Sequence, residues 1–143
     1  MDKCLEQLKK LTGNTLSENQ VRMMSPLVLA YIGDTIYDLL VRTYLILTNK
    51  VSVHNLHNQA ISFVNAGAQA HTLEMIFEKL TDEEKNIVRR GRNAKSGTVP
   101  KKADIGEERY ATGFEALLGY LYLTEQTDRL MEIGQLIFEA NWK

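Results

Sequence analysis

Apolar residues recur at spacings of three and four along most of the chain, and both prolines fall where a helix would begin or a loop would run, so the pattern predicts an all-α fold. Leu5, Leu8 and Leu11 give residues 2–12 one apolar face that ends at Gly13 and Asn14, and Ser17 offers a second start before Glu18; segments this short are marginal alone. Ser25-Pro26 is a stronger start, a capping hydroxyl followed by the one helical position where proline's missing N–H costs nothing. The helix it opens is expected to reach about Leu47, with Leu27, Ala30, Tyr31, Asp34, Asp38 and Val41 on one largely buried face. Between Ser52 and Leu80 the helical spacing continues but is interrupted at Asn65-Ala66-Gly67, which predicts two helices or one kinked one. Thr81 and Glu84 form a capping box for a short helix running out near Gly91. Residues 91–104 lack periodicity and read as a loop. Helices over about 107–124 and 128–141 complete the chain, the second begun by Thr127.

Two of these helices each carry a carboxylate in an apolar setting, Asp34 in Leu29 through Ile36 and Glu115 in Phe114 through Leu121. An ionised carboxylate moved out of water without a partner costs several kcal/mol, so each acid must lie at a wet edge, pair with a cation or bind a metal. Brought together across a helix–helix contact, the two would make a divalent-cation site. The alternative is structural, with Asp34 hydrogen-bonded to a hydroxyl such as that of Tyr110 or paired with Arg109. Gly33 and Gly119 each cost about 1 kcal/mol inside a helix relative to alanine, which close packing around a site would explain.

At 143 residues the chain fits a single domain over 1–143, with residues 1–24 as an extension of open role. The lone Cys4 can form no intrachain disulfide, and nothing near it marks an activated thiolate. With no signal-peptide pattern and no apolar run of membrane-spanning length, a cytoplasmic protein without a membrane partner is expected. The three histidines lack zinc-site spacing and are expected to be structural or RNA-contacting. Phosphate-binding loops, dinucleotide fingerprints and serine-hydrolase elbows are absent.

The 17 basic and 18 acidic residues nearly cancel, but they are unevenly placed. Residues 85–102 hold Lys85, Arg89, Arg90, Arg92, Lys95, Lys101 and Lys102 and no acid. Asn93, Ser96 and Thr98 add hydrogen-bonding groups, and Gly91 and Gly97 would let backbone N–H groups approach a phosphate. That composition suits a sugar-phosphate backbone, and the lack of aromatic residues favours the outside of a duplex over stacked single strands. A solvated surface loop is the plainer alternative.

Leu29 through Thr35, reading L-A-Y-I-G-D-T, resembles the signature helix of the ribonuclease III endonuclease domain, and Phe114 through Leu121 resembles its second acidic helix. Residues 90–101 resemble the loop of the mini form of that family, Mini-III, which lacks the double-stranded-RNA-binding domain. Over about residues 25–140 the resemblance implies the helical ribonuclease III endonuclease fold. It implies a homodimer that cuts both strands of duplex RNA, leaves 5′-phosphate and 3′-hydroxyl ends, and trims 23S ribosomal RNA precursor. Asp34 and Glu115 are thereby expected to be the catalytic residues and the ligands of Mg²⁺, with Mn²⁺ able to substitute. Arg90, Arg92, Asn93, Lys95, Ser96, Lys101 and Lys102 are expected to contact RNA. Leu27, Ala30 and Thr112 stand where the broader family has acids, so water or another acid, Asp38 being nearest by spacing, would complete the site. An inactive RNA-binding or ribosome-assembly factor is the alternative function, and a helical protein-interaction module is a third.

Overall fold

A computed structural model describes residues 2–48, 52–94 and 105–141, with Asp2 and Asn141 in backbone only. Its elements are α1 (Asp2–Thr12), α2 (Glu18–Arg22), α3 (Pro26–Thr48), α4 (Val53–Val64), α5 (Ala66–Ile76), a 3₁₀ turn (Phe77–Lys79), α6 (Asp82–Asn93), α7 (Ile105–Leu123) and α8 (Thr127–Asn141). Among the described residues there is no strand, and no helix is long and apolar enough to cross a membrane. The expected interruption at Asn65 is a true break. Asn65 has extended backbone (ψ 156°), closes α4, and caps α5 by accepting the Ala68 N–H at 2.8 Å. The capping box is also formed, with Thr81 and Glu84 each accepting the other's backbone N–H.

Helix α7 is the centre of the molecule. Ala111, Gly113, Phe114 and every residue from Ala116 to Leu121 are buried, so it is apolar on all sides and packs against α3, α5, α6 and α8. Two glycine pairs let its neighbours approach at backbone distance. A Cβ on Gly33 would overlap the Glu115 carbonyl oxygen, and one on Gly119 would overlap that of Leu29. On the opposite neighbour, a Cβ on Gly91 would lie 2.7 Å from the Gly113 Cα, and one on Gly113 would lie 2.6 Å from the Val88 carbonyl oxygen. Gly91 is therefore a buried packing residue within α6. It neither ends the helix nor offers its backbone to a phosphate, because its N–H lies in an unbroken helical turn against α7.

Polar ties hold this packing in register. The Tyr37 hydroxyl donates to the Phe63 carbonyl at 3.0 Å while its ring meets Phe114 edge-on at 5.1 Å, joining α3, α4 and α7. Glu84 is buried, and Arg129 of α8 grips both its oxygens at 2.8 and 2.9 Å. Burial pushes the Glu84 carboxyl up, but the Arg129 and Thr81 bonds outweigh it and leave the group below its usual range. Val21 is completely buried in the same core, so part of the N-terminal extension is built into the fold.

Candidate functional site

The α3–α7 crossing puts Asp34 and Glu115 together. Gly33 touches the backbone of Glu115, so the residue after it, Asp34, stands at the rim of the contact. The expected buried face of α3 is shifted in the structure. Leu29, Gly33, Ile36, Tyr37, Val41 and Leu45 point inward with Ala30, while Leu27, Tyr31 and Asp34 are exposed. The helix is apolar on more than its core-facing side, so spacing alone could not say which stripe was buried.

Asp34 lies at the wet edge and Glu115 half inside. Neither structural alternative for Asp34 is realised: among the described residues it has no hydrogen bond to Tyr110 and no ion pair with Arg109. Partial desolvation and the nearby charge of Asp38 raise its proton affinity. Asp38 is itself paired with Arg42 at 3.1 Å, so the acid expected to reach into the site has a partner elsewhere. Burial pushes the Glu115 carboxyl up to about 8; the Asp34 charge adds to this, a hydrogen bond from Gln69 opposes it, and Glu108 adds a little more. Because Glu115 is still neutral where Asp34 ionises, the repulsion between them falls on Glu115.

The sign of this shift gives a testable consequence for the metal-free protein. The folded state keeps the Glu115 proton up to about pH 8, whereas an unfolded glutamate loses it near 4.5. Between those values the folded state binds more protons, so stability falls as pH rises. In EDTA, the melting temperature is expected to drop between pH 5 and 8, and Glu115→Gln to reduce the drop. At this half-open site the difference should be on the order of 2 kcal/mol at pH 8. Parallel pH profiles for the two proteins would refute the raised Glu115 affinity.

Two carboxylates with raised proton affinity, and with no ion pair to either among the described residues, are groups that could hold a divalent cation. Oxygen-only donors, and only two of them, suit a hard ion of the Mg²⁺ type that keeps several waters. Ala30 offers no donor, and Thr112, whose hydroxyl donates to the Glu108 carbonyl at 2.9 Å, brings no carboxylate. His54, His57 and His71 are exposed, and among the described residues no group of three or more potential ligands of the His, Cys, Asp or Glu type is assembled.

The basic segment divides. Arg90 is engaged within the fold: its guanidinium donates to the Arg22 carbonyl at 2.6 Å and the Met24 carbonyl at 3.0 Å. Helix α2 ends at Arg22, leaving carbonyls without helical partners, and Arg90 satisfies them. Arg92 remains at the surface over the Tyr110 ring, 5.9 Å from its centroid, and donates to the exposed Asn93 at 3.3 Å. With Arg89, His71 and Glu107, Arg92 lines a cleft of about 730 Å³ that does not include the two acids. Lys95, Ser96, Lys101 and Lys102 lie outside the described residues. The sequence reading missed Gln69, whose signal was a polar residue in register with Leu73 and Ile76 on the buried stripe of α5.

Residues 27–126 match the Ribonuclease III domain model. The chain is 49% identical over 121 residues to Mini-ribonuclease 3 of Thermoanaerobacter sp. (strain X514), covering 85% of each. It is 45% identical over 130 residues to that of Clostridium tetani, covering 90% of this chain and 86% of the relative. A protein of Fusobacterium nucleatum solved by X-ray crystallography superposes with a TM-score of 0.75 at 30% identity, over 85% of this chain and 97% of the other. With a helical fold built on the Asp34 and Glu115 crossing and a match over most of its length, the chain belongs to the ribonuclease III family, in its Mini-ribonuclease 3 branch.

Proposed function

We propose that the protein is a homodimeric, Mg²⁺-dependent endoribonuclease that hydrolyses double-stranded RNA, with 23S ribosomal RNA precursor as its natural substrate and 5′-phosphate and 3′-hydroxyl product ends. The observation that carries this reading is the pair of carboxylates at a backbone-close crossing, with no ion pair to either acid among the described residues. Membership of the ribonuclease III family supports endoribonuclease activity. Asp34 and Glu115 would hold the ion, with Mn²⁺ able to replace Mg²⁺. When bound, the ion supplies the positive charge that activates water and stabilises charge developing on the scissile phosphate. Asp34 is exposed at the rim, where solvent and a phosphate could reach it, and Glu115 would hold the ion from the more buried side.

A dimer is supported by the outer face of α3. Val28, Tyr31, Leu39 and Ile46 are exposed and recur close to multiples of the helical repeat, and Tyr31 is 81% exposed one turn from Asp34. A second copy seated on this stripe would border the site. RNA affinity would come from Arg92, Asn93, Lys95, Ser96, Lys101 and Lys102, with Arg90 contributing through the α2–α3 junction it holds. Arg92→Ala with Lys95→Ala is expected to weaken duplex binding at moderate salt and lower the log–log salt slope by roughly 2 or more for a dimer. An unchanged slope would remove these residues from the RNA contact.

The sparse ligand set favours one rival, an RNA-binding factor without catalysis. Incubating labelled double-stranded RNA with the protein in Mg²⁺ and in EDTA, and mapping the product ends, decides between them. Cleavage only in Mg²⁺ supports the enzyme, and binding without cleavage supports the rival.

A further inference from the structure

Residues 85–102 contain no aromatic residue, but the fold sets rings from other elements against their cations. Arg92 lies over the Tyr110 ring at 5.9 Å and Lys85 over the Phe77 ring at 5.2 Å, both within cation–π range. Lys85, Arg89 and Arg92 follow at spacings of four and three, so they share one face of α6. The cleft of about 730 Å³ takes Arg89 and Arg92 from α6, Glu74 from α5 and Tyr110 from α7, around an apolar lining of Leu73, Phe77 and Val88. Its other acids have places of their own. Glu78 pairs with Lys85 at 3.8 Å. Glu107 brings Oε2 to 3.1 Å from where a Gly67 Cβ would stand, in the first turn of α5, where the helix dipole favours an anion. Arg89 and Glu74, in contrast, are exposed and have neither a hydrogen bond nor an ion pair among the described residues. Tyr110 stays 44% exposed, and Arg92 donates to Asn93 through Nε alone.

An unpaired cation, an unpaired carboxylate and an exposed ring around one apolar cleft suit a ligand with an anionic end, N–H donors and a flat apolar body. A nucleotide has all three, in its phosphate, its amino-bearing base edge and its π face. Within a duplex the face is stacked and the edge paired, so the ligand must be an unpaired nucleotide. A basic peptide would suit Glu74 and be repelled by Arg89 and Arg92; an acidic one would leave Glu74 opposed. The cleft also has the size of small-ligand pockets, roughly 300–1,000 Å³. We propose that it binds an unpaired nucleotide of the substrate RNA, with the phosphate on Arg89 and Arg92, the base against Tyr110 and an exocyclic amino group donating to Glu74. The proposal rests on RNA being the substrate, and it adds a contact apart from Asp34 and Glu115, which do not line this cleft.

The test is an NMR titration of the full chain, in EDTA, with single-stranded tetracytidylate and tetrauridylate, beside a gel shift with a blunt RNA duplex. Amide shifts are expected to gather on Ala70, Glu74, Arg89 and Tyr110, with tetracytidylate bound more tightly because uracil has no amino group. Tyr110→Ala should raise the half-saturating concentration of both by about tenfold, and Tyr110→Phe, which keeps the ring, by less than about twofold. Arg89→Ala should weaken both by about fivefold at low salt and by less as salt rises. Glu74→Ala should abolish the preference for cytidine; a preference left unchanged would overturn the contact with the base edge. Shifts gathered elsewhere, or a folded Tyr110→Ala that binds both tetranucleotides as wild type does, would overturn the site. A wild type that binds the duplex and neither tetranucleotide would overturn it while leaving the RNA substrate standing. Binding of neither kind of RNA would overturn that reading as well.

Discussion

Glu115→Gln is expected to lower the rate of duplex-RNA cleavage by about a thousandfold or more while leaving duplex binding within about twofold of wild type. The size follows from the ligand count. A site with four acids can lose one and keep a bound ion, but this one has Asp34 and Glu115, and Asp34 alone at an exposed rim offers a single carboxylate. Glutamine keeps the shape and the hydrogen-bonding capacity of the side chain, so the α3–α7 crossing should survive. It also removes a carboxyl that burial and Asp34 hold near neutrality, so the metal-free variant should be no less stable than wild type at pH 8. Binding should persist because Arg92 and Asn93 lie on α6, and the cleft that Arg92 lines does not include either acid. Gel-shift binding in EDTA, together with cleavage in Mg²⁺ at saturating RNA, checks both halves. Appreciable cleavage by the variant would end the assignment of Glu115 as a ligand, and lost binding would mean that the acid supports the RNA surface.

What could be read from the chain itself was mostly local. The capping box at Thr81 and Glu84, the start at Ser25-Pro26 and the break at Asn65 depend on side chains within four residues of the backbone they serve, so sequence spacing contains them. The acid pair was legible because a carboxylate among apolar neighbours stands out wherever the neighbours end up. Long-range partners were not. Arg90 looked like one more cation in a basic run, and only the fold brings it against carbonyls 66 and 68 residues away. Gly91 looked like a helix end because nothing in its surroundings announces Gly113 as the residue that needs the space. The α3 stripe misled for a related reason: an apolar face that stays exposed has the same spacing as one buried in the core.

The second large effect concerns those glycines. Gly33→Ala should destabilise the protein by about 3 kcal/mol or more, roughly a 10 °C fall in melting temperature for a chain of this size, and Gly119→Ala should do the same. Helix propensity argues the other way, because alanine is favoured over glycine by about 1 kcal/mol in a helix interior. Packing wins here, since the new methyl would meet a backbone carbonyl, Glu115's in one case and Leu29's in the other, and no rotamer change can clear backbone. Relief requires α3 and α7 to separate, which moves Asp34 away from Glu115. The folded fraction of Gly33→Ala should therefore need more Mg²⁺ for half-maximal cleavage, even at a temperature where it is fully folded. Gly134→Ala is the matched control: its methyl would find only the flexible end of Met131, 3.9 Å away, so propensity should decide and stability should rise by up to about 1 kcal/mol. Thermal melts of the three variants with a Mg²⁺ titration of cleavage separate the causes. If Gly33→Ala melted with Gly134→Ala, the close crossing would not hold the two acids together. If it melted low yet cleaved with an unchanged Mg²⁺ requirement, the spacing of Asp34 and Glu115 would not set metal affinity.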